Sequence, residues 1–161
     1  MDLLLDVKIV FDIYAPREEF EEEARDTTTL CEQSGWKLWV YAGSVQTMEY
    51  ALFYELKRQY AYSEIRATNR QINHRTKTLL HDFCQDKNWL AALAGEGQVF
   101  ETDDPEDEQL ILALKRFPQD SIKLLTRDRE IFEKYPELTI SPEKYLNQNI
   151  EPKPTAFVDL A

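Results

Sequence analysis

Cysteine is scarce in this chain of 161 residues, with only Cys31 and Cys84 present. Two cysteines cannot build a disulfide framework, and no CxxC pair offers a zinc site. A reducing cytoplasm is the expected location. Long apolar runs are also missing, since nothing approaches the roughly 20 residues that a membrane-spanning helix needs. The Leu3–Leu5 run is bounded by Asp2 and Asp6 and follows no basic stretch, so a secretory signal is not expected. The third thing lacking is cationic charge. With 19 Lys and Arg against 30 Asp and Glu, the formal net charge is −11. That argues against binding nucleic acid by simple neutralisation of its backbone. Two possibilities survive: acids gathered around a metal ion that itself contacts nucleic acid, or a basic protein partner.

What is present describes a globular protein. Hydrophobic residues make up 43% and aromatics 12%, and the length suits one domain with a substantial core. The charge is uneven. Glu18, Glu19, Glu21, Glu22 and Glu23 form an acidic run, whereas Lys57, Arg58, Arg66, Arg70, Arg75, Lys77 and Lys87 make the stretch from 57 to 87 net basic. Solvated helix faces account for most such runs. No internal repeat is visible.

Residues 3–11 (LLLDVKIVF) read as a strand buried on both faces, as in a parallel sheet, interrupted by Asp6 and Lys8. An acidic helix follows Pro16 over roughly 17–34, closed by Ser34-Gly35. KLWVYA (37–42) is the second strand. Ser44 is placed to cap a helix reaching about Tyr60, with Met48, Leu52 and Leu56 on one face. Ser63 to Ala94 reads as helical, in one or two pieces, before Gly95 and Gly97. A third strand is expected near Gln98–Phe100. Asp103-Asp104-Pro105 then starts a helix to about Phe117, with Asp104 as its cap. IKLL (122–125) is a fourth strand, Thr126-Arg127-Asp128 leads into a short helix, and Leu138–Ile140 is a fifth strand. Strands alternating with helices predict an α/β domain with a central, mostly parallel sheet of four to five strands. Its limits are residues 1–146, and 147–161, with Pro152 and Pro154, reads as a tail or linker.

In an open parallel sheet, ligand sites form where strand carboxyl ends meet helix starts. Glu49, Asp104, Asp107 and Asp128 fall at or near such places, and Asp6 interrupts the first strand. Crowded carboxylates raise one another's pKa, and a hard divalent cation with oxygen ligands relieves that cost. Taken singly, most have an ordinary explanation as helix caps, dipole partners or surface residues. Asp6 is the exception, because a carboxylate inside an apolar strand is expensive unless paired or metal-bound.

Four segments together carry a family resemblance. LLLDVKIVFDIYAPREEF, DDPEDEQLILAL, LLTRDREIF and LTISPEKYL resemble, in order, the opening strand, the third acidic segment, the strand running into T-x-D, and the closing strand of PIN domains. This is the nuclease fold named for the PilT N-terminus, here of the bacterial toxin type, and the likeness spans about residues 3–146. Each motif is short; their order is what makes the likeness specific.

The resemblance implies a three-layer α/β/α fold with strand order 3-2-1-4-5. It further implies a Mg²⁺- or Mn²⁺-dependent endoribonuclease with Asp6, Glu49, Asp107 and Asp128 as the acidic site, of which Asp6, Asp107 and Asp128 bind metal. Asp104 and Thr126 would be accessory. An antitoxin protein and a homodimer are further implications, and Glu55 is the alternative second acid. Arg66 and Arg70, four residues apart, are candidates for RNA contact on one helix face. One departure stands out. Lys8 occupies the position, two residues after the first Asp, where the family usually has Asn. An ammonium there competes with a metal ion, so weakened or lost catalysis, leaving a protein- or RNA-binding module, is the alternative. A haloacid-dehalogenase-type phosphatase would need a second Asp at that same position, and the late Lys of a receiver domain is not found.

Overall fold

Leu3, Leu4 and Leu5 are all buried. Successive side chains of a strand point to opposite faces, so the first strand needs apolar cover on both. In the computed structural model, which describes residues 1–14, 19–85, 87–90 and 105–149, that strand is β1, Asp2–Leu5. Leu3 and Leu5 join one hydrophobic cluster and Leu4 joins the other.

The remaining strands are β2 (Leu38–Tyr41), β3 (Asn88–Leu90), β4 (Ile122–Leu125) and β5 (Thr139–Ile140). They form a five-stranded sheet in the order β3-β2-β1-β4-β5, with every pairing parallel. The order matches the expected 3-2-1-4-5. Among the described residues seven helices accompany it: α1 (Val7–Tyr14), α2 (Glu21–Gln33), α3 (Val45–Tyr62), α4 (Asn69–Gln85), α5 (Pro105–Leu114), α6 (Arg129–Lys134) and α7 (Pro142–Asn149). Residues of α1 to α4 and α7 share the cluster of Leu3 and Leu5, and residues of α5 and α6 share that of Leu4. Helices thus cover both faces of the sheet, as in a three-layer α/β/α arrangement. No helix among the described residues is long and apolar enough to cross a membrane.

Several expected boundaries move. The strand expected over 3–11 stops at Leu5, and a helix takes over at Val7. The Asp6 carbonyl accepts from the Ile9 and Val10 amides at 3.0 and 3.2 Å. Val7, Ile9, Val10 and Ile13 are the buried apolar positions of that helix, a helical spacing hidden inside an apolar run that looks like a strand. The acidic helix starts at Glu21 and ends as expected: Gly35 has φ +79°, and its amide donates to the Glu32 carbonyl at 2.9 Å. Only glycine adopts that conformation cheaply.

The helical stretch expected over 63–94 yields α4 and then β3, so the third strand lies at 88–90. The strand expected at Gln98–Phe100 falls outside the described residues. The last helix continues to Asn149, past the boundary set at 146. Ser44 stands at the N-cap position of α3 as expected, but it also ends a 3₁₀ turn at Ala42–Ser44 and its hydroxyl makes no capping bond.

Gly43 in that turn is required by packing. A Cβ there would stand 2.3 Å from Cε1 of Tyr41, whose ring is fully buried and whose hydroxyl donates to Gln109 Oε1 of α5 at 3.0 Å. The ring has nowhere to retreat. Gly43→Ala is predicted to destabilise the protein by about 1–3 kcal/mol, the usual cost of overpacking, as read by chemical denaturation. An unchanged midpoint would mean that Tyr41 has room to move.

Candidate active site

The connection from β1 leads to β2 on one side, while β4 lies on the other side of β1. The sheet therefore has its topological switch point between β1 and β4, where open parallel sheets form crevices at their carboxyl edge. Leu5 pairs with Leu125 at the end of the two strands, and the next residues are Asp6 and Thr126.

Both leave the sheet tied to it. The Asp6 amide donates to the Leu125 carbonyl and the Thr126 amide to that of Ile140, each at 3.1 Å. The Thr126 hydroxyl then donates to Asp6 Oδ2 at 2.6 Å and accepts from the Asp128 amide at 2.9 Å. Asp128 Oδ1 accepts from the Glu130 amide at 3.0 Å, which makes Asp128 the N-cap of α6. Its other oxygen accepts from Lys8 Nζ at 2.8 Å. One chain of contacts thus runs Asp6–Thr126–Asp128–Lys8 across the switch point.

Arg127 anchors the same loop from behind. Its guanidinium pairs with Asp12 of α1 at 3.5 Å and Glu23 of α2 at 3.2 Å, donates to the Phe20 carbonyl at 3.2 Å, and stacks 4.7 Å from the centre of the Phe20 ring. Asp12 is fully buried and belongs to this tie. Neither role was read from the sequence. The signal was there, because Asp12 falls on the apolar face of α1 beside Ile9 and Ile13.

The electrostatics follow from depth. Asp6 is almost fully buried, and desolvation pushes its carboxyl above the usual range, against the Thr126 hydrogen bond and the positive charge of Lys8. Asp128 is shallower, and the Lys8 ammonium on it holds its carboxyl below that range. Lys8 is raised in turn, first by its bond to Asp128 and also by the negative charges of Asp6 and Asp107. Lys8 reaches the acids from the first turn of α1, not from a strand shared with Asp6. Asp2, at the start of β1, is engaged elsewhere, accepting from the Lys37 amide and Trp39 Nε1, each at 2.9 Å.

The first turn of α5 sends three consecutive acids in three directions. Glu106 accepts from Thr47 Oγ1 of α3 at 2.6 Å, Asp107 acts on Lys8, and the buried Glu108 accepts from the Tyr135 hydroxyl at 3.0 Å. Glu49 lines a cleft between α3 and α4. Glu55 is held on its own helix, by Arg58 and by Gln59, the latter at 3.1 Å. Asp104 lies outside the described residues. Arg66 precedes α4, which starts at Asn69; the assumption of a common helix face with Arg70 therefore fails, and the two arginines line different clefts. The Ser44 hydroxyl, at the carboxyl end of β2, is buried with no hydrogen-bond partner among the described residues.

Comparison with known proteins adds nothing to this geometry: no family model, curated protein or solved structure matches the chain.

The donors are all carboxylate oxygens, the chemistry a hard divalent cation prefers. Among the described residues, however, no three His, Cys, Asp or Glu side chains form a group able to hold a metal ion. The positive charge beside these acids is Lys8 Nζ.

A carboxyl whose folded pKa lies above its unfolded value of about 3.9 costs stability when ionised, and the loss sets in as pH rises past the unfolded value. Asp6→Asn keeps an acceptor for Thr126 and removes that cost. The variant is predicted to melt above the wild type at neutral pH, with the gap closing below about pH 4. A lower melting temperature at neutral pH would show that the ionised carboxylate is a net stabiliser.

Proposed function

We propose that this protein is a metal-dependent endoribonuclease of the PIN type whose cation binding is held down by Lys8. The observation that carries the reading is the meeting of Asp6, Asp128 and the charge of Asp107 around one ammonium at the β1/β4 switch point. The ordered likeness of four sequence segments to PIN domains supplies the chemistry. Asp6, Asp107 and Asp128 form no metal-holding group as they stand, so they would have to close up as Lys8 leaves in order to hold a divalent cation, which would supply an acidified water and charge neutralisation at a phosphodiester.

The chain's own residues do the rest. Thr126 fixes the Asp6 carboxylate in one orientation, and Arg127 fixes the loop that carries Thr126 and Asp128. Lys8 sets the threshold. Its side chain is 55% exposed and that of Asp128 28%, so solvent screens the pair and its rupture costs on the order of 0.2–1 kcal/mol. Such a cation is displaceable, and a metal ion at sufficient concentration has room to replace it.

The specific contact between Lys8 and Asp128 also favours a second reading. In it the ammonium replaces the metal permanently, and the domain binds RNA or a protein, such as an antitoxin, without cleaving. Residence in the cytoplasm and a homodimeric state belong to the same proposal.

Cleavage of mixed RNA under a Mn²⁺ titration tests both. The wild type is predicted to cleave only at high Mn²⁺, and Asp6→Asn not at all. Lys8→Asn should bind Mn²⁺ up to about fivefold more tightly, the factor matching at most about 1 kcal/mol of displaced ion pair, with cleavage appearing at correspondingly lower metal. Equal calorimetric affinities of wild type and Lys8→Asn would make Lys8 a bystander. RNA left intact by wild type and Lys8→Asn at every Mn²⁺ concentration would favour the binding module.

A further inference from the structure

Tyr50 and Tyr54 are large aromatic side chains left 66% and 50% exposed on α3, with ring centres 4.6 Å apart. They border a cleft of about 720 Å³ between α3 and α4, inside the range of about 300–1,000 Å³ typical of small-ligand sites. The floor includes the half-buried Phe53. The exposed ring area is a surface on which a flat aromatic partner can stack.

The polar lining narrows the choice of occupant. Gln46, Asn69 and Asn73 bring three carboxamides, each with a donor and an acceptor. Amides of this kind match the hydrogen-bonding edges of nucleobases. Glu49 offers an acceptor for an exocyclic amino group, and Arg70 a cation for a phosphate. Stacking rings, amide edges and one arginine are the components with which proteins take up an unpaired base of single-stranded RNA.

The cleft is also placed to serve the acidic edge. Gln46, Glu49 and Tyr50 lie in the opening turns of α3, which follows the carboxyl end of β2 through the 3₁₀ turn at Ala42–Ser44. Thr47 of that same turn donates to Glu106, the neighbour of Asp107. We infer that the α3–α4 cleft holds one unpaired nucleobase of a single-stranded RNA, stacked on Tyr50 and Tyr54, whose backbone continues to the Asp6–Asp128 edge. The inference rests on the proposed nuclease reading for the identity of the polymer, and its test does not use cleavage.

The test is fluorescence anisotropy of the full chain with an end-labelled single-stranded oligoribonucleotide, in EDTA so that no metal-dependent cutting occurs. Tyr50→Ala and Tyr54→Ala are each predicted to weaken binding about tenfold, within the range seen for loss of one stacked base. A duplex of the same sequence should bind more weakly than the single strand. Arg70→Ala should flatten the salt dependence by about one phosphate contact. Both tyrosines are exposed, so unchanged circular dichroism is expected of the variants.

Binding indifferent to both tyrosine substitutions, or equal for single strand and duplex, overturns the inference; a cleft that takes a protein side chain gives the first of these results. If that happens while Asp6-dependent cleavage persists, the nuclease reading stands without the cleft. Loss of affinity on tyrosine substitution in a protein that never cleaves sustains the cleft and removes the nuclease.

Discussion

The carboxyl edge of the sheet depends on one buried hydrogen bond, from the Thr126 hydroxyl to Asp6 at 2.6 Å. A carboxylate at that depth pays a desolvation penalty that a hydrogen bond to a charged group, at about 1.5–3 kcal/mol, only partly offsets. The remainder is carried by whatever positive charge lies near. That requirement orders the surroundings. Thr126 must leave β4 beside Asp6, which the parallel pairing of Leu5 with Leu125 ensures. The loop holding Thr126 must not move, and Arg127 ties it to α1, α2 and Phe20.

Lys8 supplies the charge. It comes from the first turn of α1, so the abrupt change from strand to helix at Asp6 puts the acid and its counter-ion on adjoining elements. In a chain of net charge −11, a cation here has unusual leverage, because three carboxylates act on it together. The Lys8 side chain remains 55% exposed, so water reaches the ammonium and weakens its hold on the acids. A neutral residue at position 8 would leave the acids with metal or protonation as the only remedies.

Much of the architecture was legible in the sequence. The apolar strands Leu38–Tyr41 and Ile122–Leu125, the Pro105 helix start and the Gly35 stop all stand where local chemistry puts them, and the strand order agrees with the family likeness. Failures came where one pattern served two periods. Val7–Tyr14 is apolar enough to pass for strand, and only the burial of Asp12 with Ile9 and Ile13 reveals the helix. The β3 strand, three residues directly after a helix, is too short to show any periodicity. For the site, Asp6 stood out because an acid in an apolar run demands an explanation. Arg127 did not, because its partners lie on α1 and at the start of α2, more than 100 residues away, and only the fold brings them together.

The acidic composition that argues against nucleic acid at the level of the whole chain loses that force at the level of the site. A net charge opposes a polyanion through a field that salt screens over about 8–10 Å, whereas stacking and base-edge hydrogen bonds act at contact. Several acids are also committed to partners of their own. Glu21 is paired with Arg25, Glu23 and Asp12 with Arg127, Glu55 with Arg58, and Glu108 with Tyr135 and Lys134. The carboxylates on the proposed path of the strand are Glu49 and those gathered about Lys8. On that reading a phosphate arriving at the β1/β4 edge meets an ammonium already in place, and the acids beneath it turn from repulsive to useful only when a divalent cation takes its position. Attraction of the polymer and activation of the site are then distinct steps, the first resting on aromatic and amide contacts in the α3–α4 cleft and the second on displacement of Lys8.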